Sequence, residues 1–279
     1  MDSPDPPTDD IGIARAFFPR GLVQPDTSWR FSLDALLLGA FARPRPQSRV
    51  LDLGCGCGPA GFAMLLRDPE ATTTVTGIDL DPDMVRAARE NAARLGLSHC
   101  LTAHVLDVRQ ARALARETPG AADGPPEAKA AFRPAPESFE HVLCNPPYRP
   151  VGSGRPCPGE GRNRARFEST AILADFLDAT AFFLTNKGTA WFVHLASRLA
   201  ALITGLTARH LEPKRLLPVH SRLGGPARLI LVEATKNGGP GLVLEPPLVL
   251  YSERPDAALG QPRMTARALS FCPFLAANA

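Results

Sequence analysis

The 279-residue chain contains no apolar run long enough to span a bilayer. Its opening, Met1-Asp2-Ser3-Pro4-Asp5-Pro6-Pro7, is acidic and proline-rich, the reverse of a secretory signal, so a cytoplasmic location is expected. Six cysteines are scattered with no CxxC pair and no paired Cys/His spacing, which leaves zinc and a disulfide framework without a signature. Cys55-Gly56-Cys57 comes closest, but inside a glycine loop it reads as two small residues, and no metal is expected. The thiols should be reduced. The dinucleotide fingerprint G-x-G-x-x-G is missing, as is the glycine-lysine-serine/threonine of a P-loop, so pyrophosphate is not the expected ligand. No internal repeat is visible. Neither charge sign dominates: a net charge of +3 and a pI near 8.6 permit a polyanionic partner without demanding one.

With 44% hydrophobic residues the chain can bury a substantial core, and one α/β domain with extensions is the default. The expected divisions are an irregular N-terminal segment (1–30), a main domain (31–255) and a C-terminal tail (256–279). Ser32 is placed to cap a short apolar helix ending near Ala42. A regular rhythm then begins. Strands are expected at 49–53, 74–79, 101–106 and 139–143, with helices at 60–67, from Asp81-Pro82 to Gly96, and at 108–117. Met84, Val85, Ala88, Ala92 and Leu95 give the second of these helices its apolar face. Residues 118–138, rich in Pro, Ala, Gly and Glu, interrupt the rhythm as a surface insertion. Further on come a long loop (149–166), a helix (167–185), strand five (189–195) and a helix (197–210). Two strands (215–220 and 228–234) follow, joined too tightly for a helix and therefore antiparallel neighbours. The alternation predicts a Rossmann-like, seven-stranded, mostly parallel sheet ending in an antiparallel pair.

In such sheets ligands sit beyond the carboxyl ends of the strands. Asp52, Asp79, Asp107 and Asn145 all fall there. Gly54, Gly56 and Gly58 let a backbone approach a ligand closely. Asp79 is placed to take both hydroxyls of a ribose, with Leu80 beside it. Asp107 could accept from an adenine amino group, with Val108 next to it, while Asp52 and Asp34 could hold an ammonium group. Adenosine with an amino-acid tail describes S-adenosylmethionine. The alternative is that these acids cap helices, which is the preferred reading for Asp81.

Asn145-Pro146-Pro147-Tyr148 ends the fourth strand abruptly. Proline cannot donate a backbone hydrogen bond, fixes its own φ and pushes the preceding residue toward extended geometry. The segment is therefore either a proline-terminated turn or a rigid set of acceptors for a planar NH2 group, with the Tyr148 ring to stack on its carrier. Beyond it, Arg155, Arg162, Arg164 and Arg166 make a basic loop suited to RNA phosphate. His194, His210 and His220 are separated and read as structural or surface residues, and Phe17, Phe18 and Tyr251 as packing.

Val50-Leu51-Asp52-Leu53-Gly54-Cys55-Gly56-Cys57-Gly58, with Gly77-Ile78-Asp79 and Asn145-Pro146-Pro147-Tyr148, resembles the class I S-adenosylmethionine-dependent methyltransferases that act on planar amines. More closely, the chain resembles the bacterial family that methylates N6 of the adenosine next to the anticodon in a valine tRNA. Phe31-Ser32-Leu33-Asp34-Ala35-Leu36, Arg164-Ala165-Arg166-Phe167-Glu168 and Ala227-Arg228-Leu229-Ile230-Leu231-Val232-Glu233 carry the likeness along about residues 17–252. The insertion and Cys57, where many relatives have serine, depart from the pattern. The resemblance implies methyl transfer to an adenine N6 in tRNA. Asn145, Pro146 and Tyr148 would then form the catalytic edge, and Pro147 with the four arginines would bind substrate. Three other readings stay open: a protein glutamine N5-methyltransferase, a guanine-N2 ribosomal RNA methyltransferase, and a cofactor-binding RNA-associated protein without turnover. Glutamine methyltransferases carry a larger helical domain ahead of strand one than the roughly 48 residues found here.

Overall fold

The computed structural model describes residues 8–26, 30–68, 72–116, 132–148, 171–255 and 262–278. The first four strands, β1 (Arg49–Leu53), β2 (Thr74–Asp79), β3 (Leu101–Val105) and β4 (Phe139–Cys144), are short runs rich in apolar and β-branched residues; β1 and β4 are mostly buried, whereas β3, at the sheet edge, exposes Thr102 and Val105. Three longer strands follow: β5 (Leu184–Leu195), β6 (Leu211–His220) and β7 (Ala227–Lys236). Their order in the sheet is β3-β2-β1-β4-β5-β7-β6. All neighbours are parallel except β7, which runs against both β5 and β6. The expected seven-stranded sheet is therefore present. Two short strands, β8 (Val243–Leu244) and β9 (Leu248–Val249), extend it beyond β6, and β10 (Tyr251–Pro255) pairs with β11 (Pro262–Met264) in a separate ribbon. β6 starts four residues earlier than expected and takes in Pro213 and Pro218. It lies near the sheet edge, where only short partners compete for its outer hydrogen bonds.

Helices cover both faces. α1 (Thr8–Phe17) and α2 (Leu33–Phe41) precede the sheet, and α3 (Pro59–Arg67) and α4 (Pro82–Arg94) follow the first two strands. Ser32 occupies the N-cap position of α2 without a side-chain cap bond, whereas the Asp81 carboxylate does cap α4, accepting from the Asp83 N–H at 2.9 Å. The expected helix over 108–117 is only a 3-10 turn (Val108–Gln110) and the short α5 (Ala111–Leu114). α6 (Leu173–Phe183), α7 (Leu199–Thr207) and α8 (Ala266–Phe271) complete the set among the described residues.

From Ala35 to Phe41, α2 is apolar on every side because it is covered on every side. Leu36, Leu37 and Leu38 are fully buried, each stabilising the fold by about 1.5–3 kcal/mol. Gly39 makes the covering possible: a Cβ there would collide with the Ala60 carbonyl of α3. Two expectations about the chain ends are corrected at this helix. The segment 1–30 is not irregular throughout, since α1 packs on α4, with Arg15 Nε donating to the Leu95 carbonyl at 2.8 Å. Residues 262–278 are not a loose tail. Thr265 caps α8, and Cys272 and Leu275 are fully buried in the same core cluster as Leu36, with Phe274 edge-on to Phe18 at 4.8 Å. A small apolar surface can be built from distant pieces of chain, so local periodicity carries no sign of it.

Candidate active site

Register places the functional residues at one edge. Leu53 of β1 is level with Ile78 of β2 and with Cys144 of β4, so Gly54, Asp79 and Asn145 leave the sheet together. Cys144 is in turn level with Phe192 of β5, which brings His194 to the same end.

The glycine loop is pinned by the main chain. Gly54 and Cys55 N–H both donate to the Ile78 carbonyl, at 2.8 and 3.0 Å. Gly54, Gly56 and Gly58 all have positive φ. At Gly56, with φ 55°, a Cβ would meet nothing within 4 Å, so the loop presents bare backbone to open space. Its N–H donates to Asp79 Oδ2 at 2.8 Å, and the Asp81 N–H donates to Asp79 Oδ1 at 2.9 Å. A carboxylate has about four acceptor positions, so Asp79 keeps some for a ligand. Burial raises its pKa, helped by the Asp81 carboxylate, and the backbone N–H groups of Asp81, Gly56 and Leu80 oppose that. Leu80, next to it, is 48% exposed, an apolar surface left open beside an acid.

Two expected acids are otherwise engaged. Asp52 is 2% exposed and accepts from the Gly61 N–H of α3 at 3.2 Å. Burial pushes its pKa up to about 7, the nearby Asp79 adding to the rise. It ties strand to helix beneath the loop. Asp107 accepts from the Arg109 N–H and Nε at 3.0 Å and from its Nη2 at 2.6 Å. The Arg109 side chain holds its pKa down. A guanidinium two residues along the same turn takes the place expected for an adenine amino group. Val108 is buried in the core rather than open to a ligand.

At the acceptor end Asn145 and Tyr148 are half-buried, Pro146 is buried and Pro147 is exposed. The Tyr148 hydroxyl donates to Asn145 Oδ1 at 2.8 Å. Asp34 stands in the first turn of α2. Together with burial, the larger cause, it drives the phenol pKa up. The four arginines of the basic loop lie outside the described residues, as do residues 118–131 of the insertion.

Two residues were missed from sequence. His194 is buried with its ring 5.2 Å from that of Tyr148. Its Nδ1 accepts from the Leu195 N–H at 2.8 Å, and burial lowers its pKa to about 4, so near neutral pH the ring is uncharged with its proton on Nε2. The strand-end rule that selected the acids would also have selected it. Asn91 of α4 is fully buried. Its Nδ2 donates to the carbonyls of Cys57 and Val23, and its Oδ1 accepts from the Val23 N–H, fastening the glycine loop from behind. Only its place on the apolar face of α4 hinted at this.

The sequence profile of the family described as "Methyltransferase domain" matches residues 44–118, from just before β1 to just after α5. Among solved structures, one titled as a predicted O-methyltransferase from Agrobacterium tumefaciens superposes with a TM-score of 0.62. It covers 87% of this chain and 96% of that one at 20% identity, a likeness of fold. The chain has the class I methyltransferase fold. Three curated relatives of this chain carry the name tRNA1(Val) (adenine(37)-N6)-methyltransferase. That of Vibrio campbellii is 29% identical over 74% of this chain and 75% of its own length. That of Bacteroides thetaiotaomicron is 25% identical over 73% and 76%, and that of Mannheimia succiniciproducens 32% identical over 60% and 58%.

The edge fits the expected S-adenosylmethionine: open backbone at Gly56, free acceptor capacity on Asp79 and bare apolar surface at Leu80. Among the described residues no group of His, Cys, Asp and Glu could hold a metal ion, and no helix is long and apolar enough to cross a membrane.

Proposed function

We propose that this methyltransferase modifies the exocyclic N6 of an adenine in RNA, with an anticodon-loop adenosine of tRNA as substrate. The observation that carries the reading is the rigid acceptor set at the end of β4, Asn145 Oδ1 beside a buried Pro146, on the same edge as the glycine loop. The name shared by the curated relatives supports adenine over other planar amines.

The lone pair of an adenine amino group is delocalised into the ring, which makes it a poor nucleophile. Asn145 Oδ1 and the Pro146 carbonyl would each accept one of its N–H bonds. That orients the nitrogen and favours a pyramidal, more reactive form. When bound, the cofactor supplies an electrophilic sulfonium methyl. Asp79 would hold its ribose hydroxyls, Leu80 one face of its adenine, and the backbone at Gly56 its amino-acid portion. As the nitrogen–methyl bond forms, the sulfur–methyl bond would break to a neutral thioether; the methylated nitrogen, now cationic and strongly acidic, would release its proton to water, so a strong general base is not required. His194, uncharged near neutral pH, fits a wall of the pocket better than a base. A target base has to leave its stack to reach such a pocket, and an anticodon loop, already unpaired, lowers that cost. Arg155, Arg162, Arg164 and Arg166 would contact RNA phosphate. The reaction is placed in the cytoplasm.

The test incubates the purified protein and labelled cofactor with total tRNA and, separately, with peptide release factors. N6-methyladenosine in the tRNA is the expected product. Label confined to a glutamine of the release factors would replace this reading with the amide one.

A further inference from the structure

The two halves of the sheet edge carry opposite charge. At and just beyond the ends of β2 and β3 stand Asp79, Asp81, Asp83 and Asp107. Beyond β5 and β6, and at the start of β7, residues 195–198 and 219–229 contain no Asp or Glu but hold Arg198, Arg222 and Arg228, all exposed. Elsewhere the described surface pairs many of its arginines: Arg49 with Glu140, Arg86 with Asp83, Arg94 with Glu90, Arg209 with Asp178. Arg198, Arg222 and Arg228 have no ion pair among the described residues. A polyanion would be drawn to this half of the edge and repelled by the other.

Register shows how near these charges stand to the acceptor group. Cys144 is level with Phe192, so Asn145 comes level with Val193, which is paired with Leu231 of β7. Arg228 lies three residues beyond that level and two strands away, about 10 Å along the strands and about 10 Å across them. Arg222 sits one strand further out, in the hairpin that joins β6 to β7. The hairpin is braced. The Gly225 N–H donates to the Arg222 carbonyl at 3.2 Å, His220 Nδ1 donates to the Gly225 carbonyl at 2.8 Å, and the Ser221 carbonyl accepts from the Tyr251 N–H at 2.9 Å. Its charges are therefore held in place before a partner arrives, which lowers the ordering cost of binding. At the tip Leu223 is 64% exposed.

We propose that this hairpin and the adjoining strand ends form an RNA-docking ledge beside the acceptor site: Arg198, Arg222 and Arg228 hold phosphates of the strand that carries the target adenosine, and Leu223 lies against a neighbouring sugar or base. Phosphate contacts position a nucleic acid without reading its sequence. The ledge thus sets where the strand runs and leaves the choice of base to the pocket at Asn145, while the acids of the other half turn the phosphates away from the glycine loop. The inference rests on the RNA reading of the acceptor.

The test is fluorescence anisotropy of a labelled anticodon stem-loop transcript over a series of salt concentrations, with S-adenosylhomocysteine present. Arg222→Ala with Arg228→Ala should lower the slope of log affinity against log salt by about 1.4, about 0.7 for each single-strand phosphate contact removed. Arg222→Glu with Arg228→Glu should weaken binding at low salt by about tenfold or more. Leu223→Ser should weaken it about threefold and leave the slope unchanged, because it removes apolar contact and no charge. Lys187→Glu, near the start of β5 and so at the opposite edge, should stay within about twofold of wild type, its charge being screened over that distance. Wild-type affinity and slope in both double variants would overturn the ledge. So would equal weakening by Lys187→Glu, which would reduce the effect to net charge, or loss of binding to peptide release factors with RNA binding intact, which would give the surface to a protein. RNA bound through the ledge without N6-methyladenosine formed would remove the proposed chemistry and keep the surface. N6-methyladenosine formed by double variants with unchanged affinity would do the reverse, and a wild-type protein that binds no RNA would end both.

Discussion

The two halves of the sheet edge are organised on different principles. At the ends of β1 and β2 the main chain does the holding: the Ile78 carbonyl takes two loop N–H groups, Asp79 takes two more, and Asn91 closes the loop from behind. At the ends of β4 and β5 side chains hold one another, with Tyr148 between Asn145 and His194. Backbone hydrogen bonds fix a shape that the cofactor, the same in every turnover, can always meet. Side-chain contacts can be exchanged, which suits a site that must admit and release a large acceptor.

The comparison is tested most severely by Asn145→Ala. The expected loss of methyl transfer is about 10²–10³-fold, the size seen when a preorganised polar contact at the reacting group is removed. Cofactor affinity, measured by calorimetry, should stay within about twofold. A comparable loss in cofactor affinity would mean that the two halves are not separate. Asp79→Ala should do the converse, weakening cofactor binding by about 10–100-fold through lost charge-assisted hydrogen bonds. A slow-down that survives saturating cofactor would argue against that assignment. Asn91→Ala strips partners from the Cys57 and Val23 carbonyls and the Val23 N–H. Denaturant unfolding should show about 2–4 kcal/mol less stability, since buried groups are left unpaired.

The smallest effect is a pH dependence at Asp52. Its folded pKa, about 7, lies above the ordinary carboxylate value, so the folded protein holds a proton that the unfolded chain has released. Through this group wild-type stability falls as pH rises from about 4 to about 7 and then levels. Asp52→Asn keeps an oxygen for the Gly61 N–H and removes that fall. Unfolding midpoints at pH 5 and pH 8 should therefore favour the variant at pH 8, by roughly 1–3 kcal/mol more than at pH 5. An equal difference at both would place the Asp52 proton elsewhere.

What could be read from sequence divides along the same line. β1 to β4 were legible because apolar and β-branched residues gather there in short runs bounded by turn signals, and strand ends then marked Asp79 and Asn145. Asp107 lies at its expected strand end but is paired with Arg109 two residues on, and a one-dimensional reading cannot tell an acid that waits for a ligand from one already paired. His194 and Tyr148 come from different parts of the chain, and their meeting is purely tertiary. The core contacts of Cys272 and Leu275 are hidden for the same reason, since nothing local distinguishes a docked short helix from a loose one.

One of those contacts bears on how the protein is made. The Cys272 thiol reaches the Leu36 carbonyl across a separation of 236 residues, on the helix that carries Asp34. β5 likewise waits for β7, synthesised after β6, before both its edges are paired. On the ribosome the cofactor half, built from neighbouring strand–helix units, can therefore assemble from residues already emerged. The acceptor half stays an unfinished edge until the last segments follow. Contacts this distant are formed late and slowly. A nascent chain would thus acquire its grip on the cofactor before its means of selecting what to methylate.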